Sequence, residues 1–259
     1  LHSTSRRQRQ MCIRDRHLTS SEPKGLTGDD VDENKAQELA KEFVGQDKVK
    51  EINSLGFAEN ATIPVYDFSI TTNNDETVNI SISKKGGHVV NMNSNRDIDI
   101  ESITQEEANN KALEFLNSRG FPNMEETYYL KQDGIVTINY AYKQDEVTVY
   151  PDLIKLKIAL DNGEVMGIET KGYLNSHEER KIPEVKITKD KAKESLNKNL
   201  EITSESLAII PTEWQTEVLC WEFKGKVNDT DFLVYVNAET GKEEDILVIT
   251  NTPNGTLTQ

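Results

Sequence analysis

The sequence predicts an α+β fold built from three tandem units, each with one helix packed on a small antiparallel sheet. A helix start with a capping side chain occurs three times, and each start is followed by residues that alternate between apolar and polar. A glycine turn then closes each unit, at Gly87, Gly163 and Gly241. Glycine supplies the positive φ angle that a tight hairpin requires, so these three residues are predicted to be structural turns.

The three helix starts share one pattern. Each begins with an Asp or Thr whose side chain can accept a hydrogen bond from the first turn, and an alanine follows four residues later. The first two helices continue with apolar residues at helical spacing, which predicts that one face of each is buried. The third is weaker because Asn197 interrupts the pattern. The capping residues are Asp32, Thr104 and Thr188.

The segments after the helices alternate with a period of two residues, as half-buried strands do. In the first unit Tyr66, Phe68 and Ile70 alternate with polar residues. Each unit is therefore predicted to have one apolar sheet face for its helix to cover. The corresponding apolar residues of the other units are Val136, Ile138, Tyr140 and Tyr142, and then Leu219, Trp221 and Phe223.

Polar stretches mark the boundaries between the units. A single small core is only marginally stable at this size, so we expect the units to pack on one another. The predicted divisions are a linker at 17–29, units at 30–97, 98–176 and 182–250, and a C-terminal tail at 251–259.

The first sixteen residues differ in composition from the rest of the chain. LHSTSRRQRQMCIRDR carries five arginines and one acid, and it resembles translated sequencing-adapter read-through. We therefore exclude residues 1–16 from the predicted fold. A basic arm that binds nucleic acid or a membrane is the alternative interpretation.

The charge balance argues against nucleic acid as a partner. The chain carries a formal net charge of −15, which repels phosphate backbones and favours basic partners. An acidic surface that serves solubility alone explains the same charge. No run reaches the roughly 20 apolar residues of a membrane span, so no membrane segment is predicted within this sequence.

No residue pattern predicts a catalytic, cofactor or metal site. His88 and His177 do not form a metal-ligating motif, and no glycine loop has the spacing that a phosphate site requires. Cys220 lies in an apolar strand, which favours a buried structural thiol over a nucleophile. Neighbouring acids such as Glu178 and Glu179 indicate a solvated surface rather than the paired carboxylates of a glycosidase. We therefore predict that the protein is not an enzyme.

A concentration of tyrosines in the middle unit suggests a contact surface. Tyrosine suits interfaces because its ring is buried while its hydroxyl meets a partner, and it suits strands, where it fills a sheet face. Both interpretations are open from the sequence. Tyr150-Pro151-Asp152 is predicted to be exposed because proline favours an edge or a turn. The candidate partner interface is Tyr140, Tyr142, Tyr150, Pro151 and Asp152.

Several long blocks of the sequence resemble one family. A short helix, an antiparallel meander and a terminal turn such as LDNGEVMGIE or NAETGKEEDI resemble the PepSY domain family. GLTGDDVDENKAQELAKEF, VTVYPDLIKLKIALDNGEVMGIETKGYL and DFLVYVNAETGKEEDIL resemble, in this order, the C-terminal PepSY-repeat region of the YpeB germination protein family. The resemblance extends from about Gly25 to Thr258.

This resemblance implies a protein of endospore-forming bacteria on the outer face of the inner spore membrane, with a membrane anchor upstream of this sequence. It also implies a partner, the spore cortex-lytic enzyme SleB. We therefore expect a non-catalytic protein that binds, stabilises and restrains SleB until germination.

The sequence leaves two other functions open. One is a general PepSY-type inhibitor of an extracytoplasmic protease, and the other is a peptidoglycan hydrolase. A germination protease is a further expected partner, because the linkers around Arg96 and Arg180 are predicted to be exposed and open to cleavage.

Overall fold

The computed structural model describes residues 22–98, 100–212 and 216–258. The predicted basic stretch at 1–16 lies outside them. No helix in these ranges has both the length and the apolar character needed to cross a lipid bilayer.

The helices are α1 (Glu33–Val44), α2 (Gln105–Ser118), α3 (Lys171–Ser176) and α4 (Lys189–Lys193). The strands are β1 (Val49–Ala58), β2 (Val65–Thr72), β3 (Thr77–Ser83), β4 (Val89–Ser94), β5 (Met124–Gln132), β6 (Ile135–Gln144), β7 (Val147–Ala159), β8 (Val165–Glu169), β9 (Glu201–Pro211), β10 (Glu217–Val227), β11 (Thr230–Asn237), β12 (Glu243–Thr252) and β13 (Gly255–Thr258).

Three of the helices begin at the residues predicted from the sequence. Asp32 caps α1 by accepting a hydrogen bond from the Lys35 backbone N–H at 2.8 Å. Thr104 and Glu107 form a reciprocal capping box at the start of α2. Thr188 caps α4 in the same way as Asp32 caps α1. Helix α4 has only five residues, which agrees with the weaker pattern of the third helix.

The strands form one continuous, mostly antiparallel sheet. Its order is β1-β2-β3-β4-β8-β7-β6-β5-β13-β12-β11-β10-β9. Along the chain, α1 and α2 are each followed by four consecutive strands and α4 by five, the last of which is β13. We call these parts of the chain the first segment (33–94), the second segment (105–169) and the third segment (189–252).

The sheets of the first two segments are joined, which differs from the prediction that each helix covers a small sheet of its own. Residues 91–93 of β4 pair with residues 167–169 of β8. Buried alanines of α1, Ala36 and Ala40, belong to the same apolar core as Ala108 and Ala112 of α2. The two helices therefore cover one shared sheet face, so neither segment has to stabilise a small core alone.

Strand β7 connects the second segment to the third. Along one of its edges, residues 155–158 pair with β8, and residues 147–149 pair in parallel with residues 207–209 of β9. Strand β6 occupies the other edge. The ladder that runs from β7 through β6, β5, β13, β12, β11, β10 and β9 therefore returns to β7. Buried residues of both segments, including Tyr150 and Cys220, form one core along this ring of strands.

Residues assigned to the linker and the tail belong to the folded part of the chain. The backbone N–H of Gly25 donates to the Leu174 carbonyl at 3.0 Å, and Leu26 is buried. Strand β13, within the predicted tail at 251–259, pairs with β12 and meets β5 at Leu130. Within the stretch predicted to be the tail, residues 255–258 complete the ring of strands.

The three predicted turn glycines lie between the third and fourth strands of their segments. Their φ angles are 64° at Gly87, 80° at Gly163 and 74° at Gly241. The neighbouring Gly86 is more tightly enclosed than any of them. Its φ is 76°, and a Cβ at this position would collide with the Thr27 carbonyl oxygen. The missing side chain lets residues 27–31 lie against this turn.

Substitution of two turn glycines should separate the effect of φ from the effect of close approach. Gly241→Ala should lower the free energy of unfolding by about 1 kcal/mol, because alanine is strained at positive φ while the nearest atom to its Cβ, in Ile187, lies 3.7 Å away. Gly86→Ala should lower it by clearly more, because the Thr27 carbonyl has to move as well. Urea unfolding followed by tryptophan fluorescence measures both losses, and equal losses would contradict the role assigned to Gly86.

Candidate functional site

Four of the five residues predicted to form a partner interface are buried. Tyr140 and Asp152 are 0% exposed and Tyr150 is 4% exposed. Pro151 is buried and Tyr142 is partly buried. The prediction that Tyr150-Pro151-Asp152 is exposed is therefore wrong.

The error has a physical reason in the geometry of β7. Between Val149 and Leu153, β7 advances by four residues while β6 moves only from Tyr142 to Ala141. Pro151 lies in this bulge, where the ladder does not need the N–H that proline lacks. The sequence signal for an irregular backbone was real, but it marked a bulge inside the sheet instead of an exposed edge.

The buried tyrosines satisfy their hydroxyls within the chain. The Tyr140 hydroxyl donates to Asn109 Oδ1 at 2.7 Å, and burial raises the pKa of Tyr140 above its ordinary value. The Tyr150 hydroxyl donates to Glu222 Oε2 at 2.7 Å, and the Tyr235 hydroxyl donates to the same oxygen at 2.5 Å. For Tyr140 and Tyr150, the structure therefore agrees with the alternative that tyrosine fills a sheet face.

Asp152 belongs to a cluster of charged residues with His177, Arg180 and Glu217, which we call the Arg180 cluster. Arg180 Nη1 and Nη2 donate to the two Asp152 carboxylate oxygens at 2.8 and 2.7 Å. Its Nε and Nη2 donate to the two Glu217 oxygens at 2.7 and 2.8 Å. His177 Nδ1 lies 2.7 Å from Asp152 Oδ2. One guanidinium thus makes a two-point ion pair with each of two carboxylates.

The centre of the Arg180 cluster is buried, while His177 and Glu217 are 25% and 21% exposed. The Asp152 side chain is 0% exposed and the Arg180 side chain is 6% exposed. Burial by itself lowers the pKa of Arg180, but the hydrogen bonds and charges of Glu217 and Asp152 outweigh it and raise the pKa above its ordinary value. Arg180 Nη2 also donates to the Ser176 carbonyl at 3.0 Å. The guanidinium is therefore held as a permanent cation inside the protein.

The cluster joins three parts of the chain. Asp152 lies on β7, Glu217 lies on β10, and Arg180 lies between α3 and α4. The Gln144 side chain also holds the backbone at Arg180, because its Nε2 donates to the Arg180 carbonyl at 2.6 Å and its Oε1 accepts from the Arg180 N–H at 3.1 Å. The cluster is a joint between the second and third segments.

The two arginines expected in exposed, cleavable linkers are both engaged. Besides the contacts of Arg180, Arg96 donates to the Asp161 carboxylate at 2.5 and 3.0 Å, and its side chain is 15% exposed. Neither guanidinium is free to enter the pocket of an arginine-specific protease. The linker residues beside them, Asn95, Asp97, Glu179 and Lys181, are exposed, so cleavage of these linkers stays a prediction.

The sequence contained one signal for the Arg180 cluster. In VTVYPDLIKLKIAL, the acid Asp152 interrupts a strand in which alternate positions are apolar. A carboxylate at such a position requires a buried cationic partner. The sequence did not identify that partner, since Arg180 lies in the charged stretch HEERK, which has the composition of a solvated linker.

The described part of the chain has no cluster of groups placed for metal binding, and its cysteine is a buried thiol. No three or more His, Cys, Asp or Glu side chains in it are placed to hold a metal ion. His88 Nε2 lies 2.7 Å from the Thr27 carbonyl oxygen and serves the N-terminal contact. Burial, together with the charges of Glu244, Asp245 and Glu222, raises the pKa of the Cys220 thiol to about 12. The thiol is therefore neutral at physiological pH.

A cavity of about 560 Å³ lies between the C-terminal ends of α1 and α2. Phe43 and Phe115 meet edge to face across it, with ring centroids 5.7 Å apart. Arg119 Nη2 donates to the Phe43 carbonyl at 3.1 Å, and Lys48 pairs with Glu164 at 2.9 Å. These polar contacts connect the first segment to the second, so the two segments are held together beside the cavity.

Removal of the Asp152 charge should destabilise the protein. Asp152→Asn keeps the shape of the side chain but leaves the buried Arg180 guanidinium with one carboxylate, so we expect the free energy of unfolding to fall by about 3–5 kcal/mol. The matched control is Asp190→Asn, because Asp190 is 93% exposed and lies 4.0 Å from Lys193. The control should change stability by less than about 0.5 kcal/mol. Similar losses in urea unfolding for both variants would show that the cluster is not a joint.

The Cys220 thiol should be inert in the folded protein. In a Cys12→Ser background, where Cys220 is the remaining cysteine, a pKa of about 12 lowers the thiolate fraction at pH 8 by about a thousandfold relative to an ordinary thiol. Reaction with a colorimetric disulfide reagent should be slower by at least that factor in buffer than in denaturing urea. Equal rates in the two solutions would contradict the buried, neutral state of the thiol.

Comparisons with known proteins agree over most of the chain. The family described as "YpeB sporulation, PepSY1 and PepSY2 domains" matches residues 10–183, and the family described as "Peptidase propeptide and YPEB domain" matches residues 186–247. Sporulation protein YpeB of Bacillus subtilis is 34% identical over 239 residues, which are 90% of this chain and 53% of that protein. Sporulation protein YpeB of Halalkalibacterium halodurans is 33% identical over 91% of this chain and 52% of that protein.

A solved structure extends the similarity to the fold. The Bacillus megaterium YpeB C-terminal domain superposes with a TM-score of 0.77 and 31% sequence identity, covering 86% of this chain and all of that one. The chain spans about half the length of the curated relatives that it matches. Because one family description matches most of the sequence and the fold agrees, this chain belongs to the YpeB family of sporulation proteins with PepSY domains.

Proposed function

We propose that the protein is a non-catalytic germination protein that binds the spore cortex-lytic enzyme SleB, stabilises it and restrains it until germination. The observation that carries this proposal is the family match over residues 10–183 together with the PepSY match over residues 186–247. The second description names peptidase propeptides. A propeptide acts on an enzyme by binding to it and not by chemistry of its own.

The use of buried ionisable groups supports a binding role. Asp152 and Arg180 hold two segments together, Glu222 accepts hydrogen bonds from two buried tyrosines, and Cys220 is a neutral thiol in the core. Each of these groups is engaged in maintaining the structure. What the protein presents to a partner is its surface.

We further propose that the three segments are three PepSY-type units joined in one sheet. Each segment begins with a side-chain-capped helix, continues with four strands, and has a glycine of positive φ between its third and fourth strands. Repetition of one element order and one turn supports a common origin of the segments.

The proposed place of action is the outer face of the inner spore membrane, where SleB and a germination protease would be partners. The sporulation role of the relatives supports this proposal. A second candidate function is inhibition of an extracytoplasmic protease, which the propeptide description favours.

Purified chain and SleB provide the test. The two proteins should co-purify, SleB should melt at a higher temperature in the complex because binding to its native state stabilises it, and hydrolysis of spore cortex peptidoglycan by SleB should slow as the chain is added. An unrelated acidic protein of similar size and net charge is the control and should produce neither effect.

Three other outcomes would overturn the proposal. Hydrolysis of peptidoglycan by the chain alone would identify an enzyme. Loss of activity of an extracytoplasmic protease without any complex with SleB would support the second candidate function. Co-purification with no change in either the melting temperature or the hydrolysis rate of SleB would exclude restraint and stabilisation.

A further inference from the structure

The outer edge of β1 has no partner among the described strands and carries exposed apolar side chains. Strand β1 ends the sheet and pairs only with β2 among the described strands. Leu55 is 63% exposed and Phe57 is 41% exposed. Large apolar side chains that lie close together on an exposed edge mark a contact site.

The backbone of β1 is shaped against regular strand addition. Its pairing with β2 shifts register between Val49 and Glu51 and again between Ser54 and Gly56. Leu55 lies in the second bulge and has no partner residue on β2. Bulges bend an edge strand and redirect its side chains. This edge therefore offers a partner the side chains of Leu55 and Phe57, and not a straight row of backbone hydrogen-bonding groups.

Three carboxylates that form no salt bridge among the described residues lie on β1 or next to it. Glu51 lies on β1, Glu59 follows it directly, and Glu33 accepts a hydrogen bond from the Ser54 hydroxyl. Among the described residues, none of these three acids forms a salt bridge. The neighbouring cations are already paired, with Lys50 bound to Asp75 at 2.5 Å and Lys84 lying 3.5 Å from Asp30. Counting these two lysines, their two aspartates and the three glutamates, this edge keeps a net negative charge beside Leu55 and Phe57.

We propose that Glu33, Glu51, Leu55, Phe57 and Glu59, the β1 surface, form the docking site for a partner protein segment in which apolar residues are flanked by Lys or Arg. Leu55 and Phe57 bury the apolar residues, and the three carboxylates pair with the cations. The inference goes beyond the proposed function, because it gives the surface and the chemistry of the partner without requiring SleB to be that partner.

The negative charge of the β1 surface disfavours a second copy of this chain as its binding partner. Two β1 surfaces facing each other would bring their unpaired glutamates together. Another stretch of edge without a partner among the described strands, residues 201–206 of β9, is less suited to a basic partner. It carries one exposed apolar residue, Ile202 at 36%, and Glu205 is already neutralised by Lys189 and Lys193 at 2.6 Å each.

A peptide of alternating leucine and lysine, acetylated at its N-terminus, is the first probe. Matched peptides with glutamate in place of lysine, or serine in place of leucine, are its controls. Backbone amide shifts of the isotope-labelled chain should change at β1 with the first peptide and not with the two controls. Binding should weaken as salt concentration rises.

Single and paired substitutions locate the site. Leu55→Ser should weaken binding of the first peptide about tenfold, the effect of losing about one buried apolar side chain. Ile246→Ser is its control, because Ile246 is 45% exposed but lies on β12, far from β1 in the strand order. Glu51→Lys with Glu59→Lys should weaken binding at least as much and reduce its salt dependence, whereas Glu114→Lys with Glu179→Lys should not. Unchanged melting temperatures confirm that the variants are folded.

Each outcome decides the inference. The inference is overturned if the first peptide does not bind, if the shifts centre away from β1, or if Leu55→Ser and Ile246→Ser have equal effects. It is also overturned if β1 mediates self-association without the peptide, or if β1 contacts residues preceding 22. Binding of SleB by the unmodified chain is measured separately. Its failure, with peptide binding intact, would reject the proposed function and leave the docking site standing.

Discussion

One buried guanidinium fixes how the second and third segments meet. Arg180 is bound at two points by Asp152 of β7 and at two points by Glu217 of β10. A charged group inside a protein is tolerated only when its hydrogen bonds are made in full. Small rotations of one segment against the other would break several of these bonds together. The geometry of this side chain therefore restricts how the two segments can be placed.

The shared ladder of β7 works in the same direction. This strand pairs with β6 and β8 of its own segment and with β9 of the next, so the hydrogen bonds of the sheet continue across the junction. The first junction combines the pairing of β4 with β8, the ion pair of Arg96 with Asp161, and a core common to α1 and α2. Segments of this size have little apolar surface to bury. By sharing sheet and core, they form one larger structure.

Local features of this fold could be predicted from the sequence, and pairings between distant strands could not. The caps at Asp32 and Thr104 and the alternation of Tyr66, Phe68 and Ile70 depend on neighbouring residues, and the structure contains the expected helices and strand. The pairing of β7 with β9 depends on two strands whose paired residues are about 60 positions apart in the sequence. Pro151 shows the same limit, because both an edge and an internal bulge accept a residue without an N–H. Nothing local distinguishes these two environments.

The placement of charge also explains what kind of recognition this molecule suits. The buried charges hold the segments together. The carboxylates of the β1 surface are exposed to solvent, where they would attract a basic partner over a distance of about 8–10 Å at physiological salt. Joints that hold the segments rigid leave little conformational freedom to be lost on binding. The bulges of β1 restrict the contact further, because an edge that cannot accept a regular strand discriminates against non-specific sheet extension. A partner of the proposed β1 surface would then be selected by its side chains and not by its backbone.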